Sequence, residues 1–222
     1  MNKMTLVIGN KNYSSWSLRP WLVLKQSDID FTEIRLSLSD PLWPDEIKKY
    51  SPSRLVPVLI NGELGVWDSL AICEYIAELF PAAQLWPVDV EARAVARSVS
   101  AEMHSGFTNL RKHMNMNCRG YFPGKGMTPE VQGDINRIVE IWNYCRARFA
   151  QDGEFLFGKF SIADAMYAPV TFRFATYAVA LGPEAQAYVQ TIQRLPAIQE
   201  WLESAKSETE VIAEYEQYKS RA

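Results

Sequence analysis

The stretch "LVPVLINGELGVWDSLAICEYI", Leu55 to Ile76, decides the fold class. Asn61-Gly62-Glu63 separates two apolar runs, Val56–Ile60 and Leu64–Trp67, and Asn-Gly in that setting is the strongest short hairpin signal. Asp68-Ser69 then precedes Leu70, Ile72, Cys73, Ile76 and Leu79 at helical spacing. Ser69 is the expected N-cap, and Pro81 stops the helix. Pro57 has no N–H to donate, so it belongs at a strand edge or at a strand's first residue. It is read either as an edge-strand residue or as a cis Val56–Pro57 bond presenting the Val56 backbone to an extended ligand.

Upstream, Thr5–Ile8 reads as a buried strand and Trp21–Lys25 as the body of a helix. Phe31–Leu38 is β-favourable, and a Pro/Trp-rich loop from Asp40 to Asp45 leads into a short charged helix. The order is therefore β-α-β-α-β-β-α, with a first half suited to parallel pairing and a second half made of a hairpin and a covering helix. From Pro81 to Asp89 the composition turns loop-like, as an interdomain linker would. Beyond it the chain is nearly all helical. One long helix is expected from Glu91 to about Asn115, and Tyr121–Gly126 breaks the pattern. Thr128-Pro129-Glu130 opens a second helix, whose Val131, Ile135, Ile138, Trp142, Cys145 and Phe149 share one face. Ser161-Ile-Ala-Asp164 is a capping motif for a third, very apolar helix reaching about Ala180, and Leu195-Pro196 divides two shorter ones. The fold class is thus α/β followed by all-α, with domains at 1–81 and 90–222.

The 222 residues are 48% hydrophobic and 22% charged with a net charge of −3. That balance gives no basic footprint for nucleic acid and none for a membrane surface. No apolar run approaches a membrane span, and Met-Asn-Lys-Met enters a strand without a signal-peptide core. Cys73, Cys118 and Cys145 are odd in number and widely spaced, which argues against a disulfide framework or zinc ribbon and for a reducing cytoplasm. His104 and His113 lie nine apart, on opposite sides of a helix, so they do not share a metal; no metal is expected.

The chemistry concentrates in "NKNYSSWSLRPW", Asn10–Trp21. With Ser17 as N-cap, Pro20 falls in the first turn of the helix, where proline loses no hydrogen bond. Ser14 and Ser15 then precede the helix N-terminus, where unpaired N–H groups favour an anion. All three serines also suit plain capping and turn roles. With no histidine nearby, such a serine is a hydrogen-bond donor to an anion, above all a thiolate, and not a nucleophile. Asp68-Ser69 reads as a cap or as a pocket in which Ser69 holds a carboxylate and Asp68 an amine. His104, Phe107 and Arg111 share a helical face, and core packing is an equal reading for Phe107.

Together these pieces resemble the cytosolic glutathione transferase family over nearly the whole chain. "SSWSLR" resembles the zeta-class Ser-Ser-Cys-x-x-Arg motif, with Trp16 in place of the cysteine. "LVPVLI" is similar to the family's cis-proline strand, "WDSLAICEYI" to its Glu/Gln-Ser-x-Ala-Ile helix start, and "FLFGKFSIADAMYAPV" to its second-domain capping motif. The resemblance implies a thioredoxin-like N-terminal domain, an all-helical C-terminal domain and a homodimer. It also implies glutathione as co-substrate on Val56, Pro57, Asp68 and Ser69, with a sulfur donor in Ser14 and Ser15 as second. Trp16, His104, Phe107 and Arg111 would line the electrophile pocket. Leu55 leaves the glycine-carboxylate partner unassigned, with Arg54, Lys48 and Lys49 as candidates. The implied activity is detoxifying transfer of glutathione to a small electrophile. Its rivals are glutathione-dependent peroxide or disulfide reduction, a zeta-like isomerase lacking the cysteine, and a non-catalytic interaction module.

Overall fold

The computed structural model describes residues 3–151 and 153–219. Strands β1 (Met4–Ile8), β2 (Phe31–Arg35), β3 (Val58–Asn61) and β4 (Leu64–Val66) form one sheet in the order β2-β1-β3-β4. β1 runs parallel to β2, while β3 is antiparallel to both β1 and β4. Gly62 takes a φ of 64° in the hairpin, the conformation that Asn-Gly announces. β1 is covered on both faces. Leu6 and Ile8 join the main core, whereas Val7 packs with Val58 and Ile47 beneath α2 (Trp43–Ile47). Double coverage explains why this strand reads as a continuous apolar run.

Helices α1 (Ser15–Gln26) and α3 (Ser69–Leu79) pack against each other and complete the first layer. The helical half comprises α4 (Val90–Ser105), α5 (Thr108–His113), α6 (Pro129–Phe149), α7 (Ile162–Thr176), α8 (Pro183–Gln193) and α9 (Pro196–Ser207). α7 is buried nearly all round and lies against both α1 and α4, so it joins the two halves. Trp142 of α6 packs among Tyr167, Phe174 and Tyr188. Among the described residues, no helix is long and apolar enough to cross a membrane.

Three expectations about helix ends are corrected. α1 begins at Ser15 with Ser14 as its N-cap, so Pro20 lies inside the helix and not in its first turn. Ser17 does not cap because its hydroxyl is already engaged, accepting from the Gly9 N–H at 3.1 Å. At α3 the cap is Asp68, whose carboxylate accepts from the N–H groups of Leu70 and Ala71, and Ser69 is the first helical residue. The helix expected over Glu91–Asn115 is two helices, broken where Phe107 takes a φ of 56°. The break satisfies its own carbonyls: the Arg111 guanidinium donates to those of Met103, His104 and Gly106.

Candidate glutathione-binding site

The turn Asn10–Ser14 delivers two hydroxyls to the N-terminus of α1. Ser14 and Ser15 are each 7% exposed. The Ser14 hydroxyl donates to Ser17 Oγ at 2.7 Å and accepts from the Ser17 N–H at 3.4 Å. The Ser15 hydroxyl accepts from Arg173 Nη2, of α7, at 3.2 Å.

Trp16 follows, half-buried and ringed by charge. The guanidinium carbons of Arg19 and Arg111 lie 4.3 and 5.2 Å from its ring centroid, and His104 meets it edge-on at 5.3 Å. The structure thus brings together three of the four expected pocket residues, Trp16, His104 and Arg111. Phe107 is buried in the core cluster at the helix break.

At the start of α3, the Asp68 Oδ1 caps the helix and Oδ2 lies 2.5 Å from His104 Nε2. Ser69 is fully buried and its Oγ has no hydrogen-bond partner. Arg19 is 1% exposed, and its Nε and Nη1 are likewise without partners. Burial first, then repulsion from Arg111 and Arg173, lowers the Arg19 pKa to about 9, and Asp68 opposes that shift. The Arg173 pKa falls to about 10, from burial and then Arg111; burial also lowers that of Arg111. All three stay cationic at neutral pH. Val56 is half-buried and Pro57 buried, and the bond between them is cis, as is Trp67–Asp68. Arg54 is exposed in a left-handed conformation, while Lys48 and Lys49 pair with Asp45 and Glu46.

Residues 13–79 match the glutathione S-transferase N-terminal domain and residues 128–204 match the C-terminal domain, together well over half of the sequence. The chain belongs to the glutathione S-transferase family. It is 37% identical over 93 residues to "Glutathione S-transferase 1" of Dianthus caryophyllus, covering 42% of each chain. It is 29% identical to "Glutathione S-transferase Z1" of Arabidopsis thaliana, over 58% of this chain and 59% of that one. It is 27% identical to "Maleylacetoacetate isomerase" of Rattus norvegicus, over 76% and 77%. The chain therefore spans about half the length of the first two curated relatives and about three quarters of the third. Among solved structures, a glutathione transferase homolog from Burkholderia with bound glutathione superposes with a TM-score of 0.71 at 23% identity, covering 93% of this chain and all of that one.

On this glutathione transferase fold, sequence reasoning missed two residues of the site, Arg19 and Arg173. Arg173 had a signal: it is the one cation in the apolar stretch from Ile162 to Ala180. Arg19 closes the Ser-Ser-x-x-x-Arg motif, and nothing in its local sequence marks a role for it.

Buried polar groups without partners are uncommon in folded proteins, and each calls for a physical account, a ligand being one. The Ser69 hydroxyl and the Arg19 guanidinium fit a carboxylate of glutathione, since both donate and a carboxylate only accepts. Asp68 offers the opposite charge to an ammonium. The cysteines fit no thiol chemistry: burial raises the pKa of Cys73 far above its ordinary value and those of Cys118 and Cys145 to about 12.

Proposed function

We propose that the protein is a glutathione transferase that acts on a small, carboxylate-bearing electrophile. The observation that carries the reading is two buried, unpartnered donors on a chain of this family: Ser69 Oγ at the start of α3, and the guanidinium of Arg19 in α1, which lies near enough to Asp68 to feel its charge. In this reading Ser69 and Arg19 receive the γ-glutamyl carboxylate, Asp68 the amine, and the Val56 backbone the cysteinyl unit, with Arg54 toward the glycine end. A serine hydroxyl at the head of α1 stabilises the sulfur as thiolate and the thiol proton leaves to solvent. The sulfur then forms a bond to the electrophilic carbon while the leaving group departs with its electron pair. The domains are assigned as 1–81 for glutathione and 90–222 for the acceptor, and the protein as a cytoplasmic homodimer.

The acceptor class rests on charge. Arg111 and Arg173 flank Trp16 and Ser15, and among the described residues neither is within ion-pair distance of a carboxylate. A carboxylate on the acceptor relieves their mutual repulsion. The isomerase name of the rat relative agrees with such a substrate, although Trp16 stands where the zeta class has its thiol. Retention on immobilised glutathione, followed by a panel of neutral and carboxylate-bearing electrophiles and peroxides, tests both parts. Retention with faster turnover of carboxylate-bearing electrophiles is expected. No retention overturns the function; preference for neutral electrophiles or for peroxides overturns the acceptor class.

A further inference from the structure

We propose that His104 of α4 is the positioning residue for the γ-glutamyl amine: it holds the Asp68 carboxylate that receives the amine, and its charge sets how tightly glutathione binds. This rests on the glutathione reading above and adds to it a group from the helical half.

A carboxylate offers two oxygens and about four lone-pair directions. On Asp68 the two oxygens do different work. Oδ1 accepts from the N–H groups of Leu70 and Ala71 at 3.0 and 3.3 Å and so caps α3. Oδ2 is turned away from the cap, and His104 Nε2 stands 2.5 Å from it. An ionised carboxylate only accepts, so the proton of that contact sits on Nε2. An ammonium that binds Asp68 therefore shares Oδ2 with the imidazole. The imidazole is itself held in place. It meets the Trp16 ring edge-on with the centroids 5.3 Å apart, and the His104 carbonyl accepts from Arg111 at 3.3 Å where α4 ends.

Charge decides what the imidazole does to the amine. When neutral, it donates one hydrogen bond, fixes the Asp68 side chain and leaves its negative charge for the ammonium. When doubly protonated, it forms an ion pair with Asp68, cancels that charge and becomes a second cation beside the ammonium. The two side chains are 28% and 51% exposed, so water screens the pair and the effect is moderate. The other charged groups around His104 are guanidiniums. Arg111 comes from α5, Arg19 lies across Trp16 from α1, and α7 brings Arg173 near Arg111. Arg137 of α6 pairs with Glu102 on α4 itself. Guanidiniums keep their charge between pH 5.5 and 7.5, whereas imidazoles change theirs there. The chain has two histidines, and the other, His113, is at the far end of α5.

The test is titration calorimetry of the full chain with S-methylglutathione, whose sulfur does not ionise, between pH 5.5 and 7.5. A second ligand is the same molecule with hydrogen in place of the γ-glutamyl amine. Wild type is expected to bind S-methylglutathione about two- to fivefold less tightly at pH 5.5 than at 7.5, the range for a partly exposed ion pair. His104→Gln keeps a donor without a titrating charge. It is expected to hold the pH 7.5 affinity of wild type across the whole range. His104→Ala is expected to be equally flat but weaker, and His113→Gln to keep the wild-type slope. The amine-free ligand should bind without any fall toward low pH. A flat wild type, a slope that survives in His104→Gln, or the same slope for the amine-free ligand overturns the proposal and leaves the function intact. Affinity that rises toward low pH also overturns it, because it would place a glutathione carboxylate, not the amine, beside His104. Failure of the wild type to bind either glutathione or S-methylglutathione at pH 7.5 overturns the function itself.

Discussion

A serine sealed from solvent with nothing to bond to costs the folded protein on the order of 1–3 kcal/mol. Ser69 is such a residue, fully buried with an unpartnered Oγ. Two opposite effects of one substitution follow. Ser69→Ala is expected to leave thermal stability unchanged or slightly raised, because it deletes an unsatisfied group. The same change is expected to weaken glutathione binding by about 1–3 kcal/mol, roughly five- to 150-fold, the range for a hydrogen bond to a charged partner. Differential scanning calorimetry and titration calorimetry on one preparation separate the two. Lost stability with intact affinity would show that Ser69 is a structural serine. At this scale the sequence was partly legible. Residue type and local order pointed to Ser14, Ser15, Asp68 and Ser69, because caps and anion sites share a local grammar. Arg173 stands out locally as a lone cation in an apolar helix, but its contact with Ser15 spans 158 positions, so no local pattern says what it touches.

The helices show where local rules suffice. The start of α7 was plain in Ser161-Ile-Ala-Asp164, and Asp164 accepts from the Ser161 N–H and hydroxyl, the Leu156 N–H and the Tyr188 hydroxyl. The break between α4 and α5 was not legible, since helical spacing runs on through it. What ends α4 is the Arg111 side chain folding back onto three carbonyls, together with burial of Phe107. Asp164 carries a prediction of its own. Asp164→Ala leaves two buried backbone N–H groups without an acceptor and is expected to cost about 3 kcal/mol or more. Its pH dependence has a definite sign. Burial raises the carboxyl pKa to about 6, against the pull of its four donors. The unfolded value is near 3.9, so between pH 4 and 6 the native state holds a proton that the unfolded state has lost. The contribution of this group is therefore greatest below pH 4 and declines as pH rises toward 6. Urea midpoints at pH 4, 5, 6 and 7 should show the advantage of wild type over Asp164→Asn shrinking across that window. A constant gap would mean that the donors hold the carboxylate ionised throughout.

At the scale of the molecule, the turn that carries both serines is held from the far end of the chain. Glu208, just after α9, accepts from the Lys11 N–H at 2.7 Å and the Asn12 N–H at 3.1 Å, a link across nearly two hundred positions. Trp201 Nε1 donates to the Lys11 carbonyl at 2.9 Å, and the Lys11 ammonium lies 5.0 Å and 5.4 Å from the ring centroids of Trp21 and Trp201. The Tyr13 hydroxyl donates to Glu216 at 2.7 Å, and its ring stacks on Tyr215. These partners lie on one strap, residues 208–216, which the Arg119 guanidinium also ties through the carbonyls of Glu208 and Glu210. A turn without regular secondary structure keeps its shape only if its backbone groups are bonded elsewhere, and here the partners belong to the strap. Glu208→Ala leaves two N–H groups unpaired in a buried setting and is expected to cost about 2–5 kcal/mol. Glu208→Gln keeps one acceptor oxygen and costs less. Because the loss falls on the turn and not on the core, the effect reaches the site as well. The pH midpoint of thiolate absorbance in the glutathione complex should rise in Glu208→Ala even in conditions where the variant is fully folded by near-ultraviolet circular dichroism. Urea denaturation and the thiolate titration measure the two consequences independently. A lowered urea midpoint with an unmoved thiolate midpoint would show that the serines are positioned by α1 and Arg173 alone, and that the strap holds only the fold.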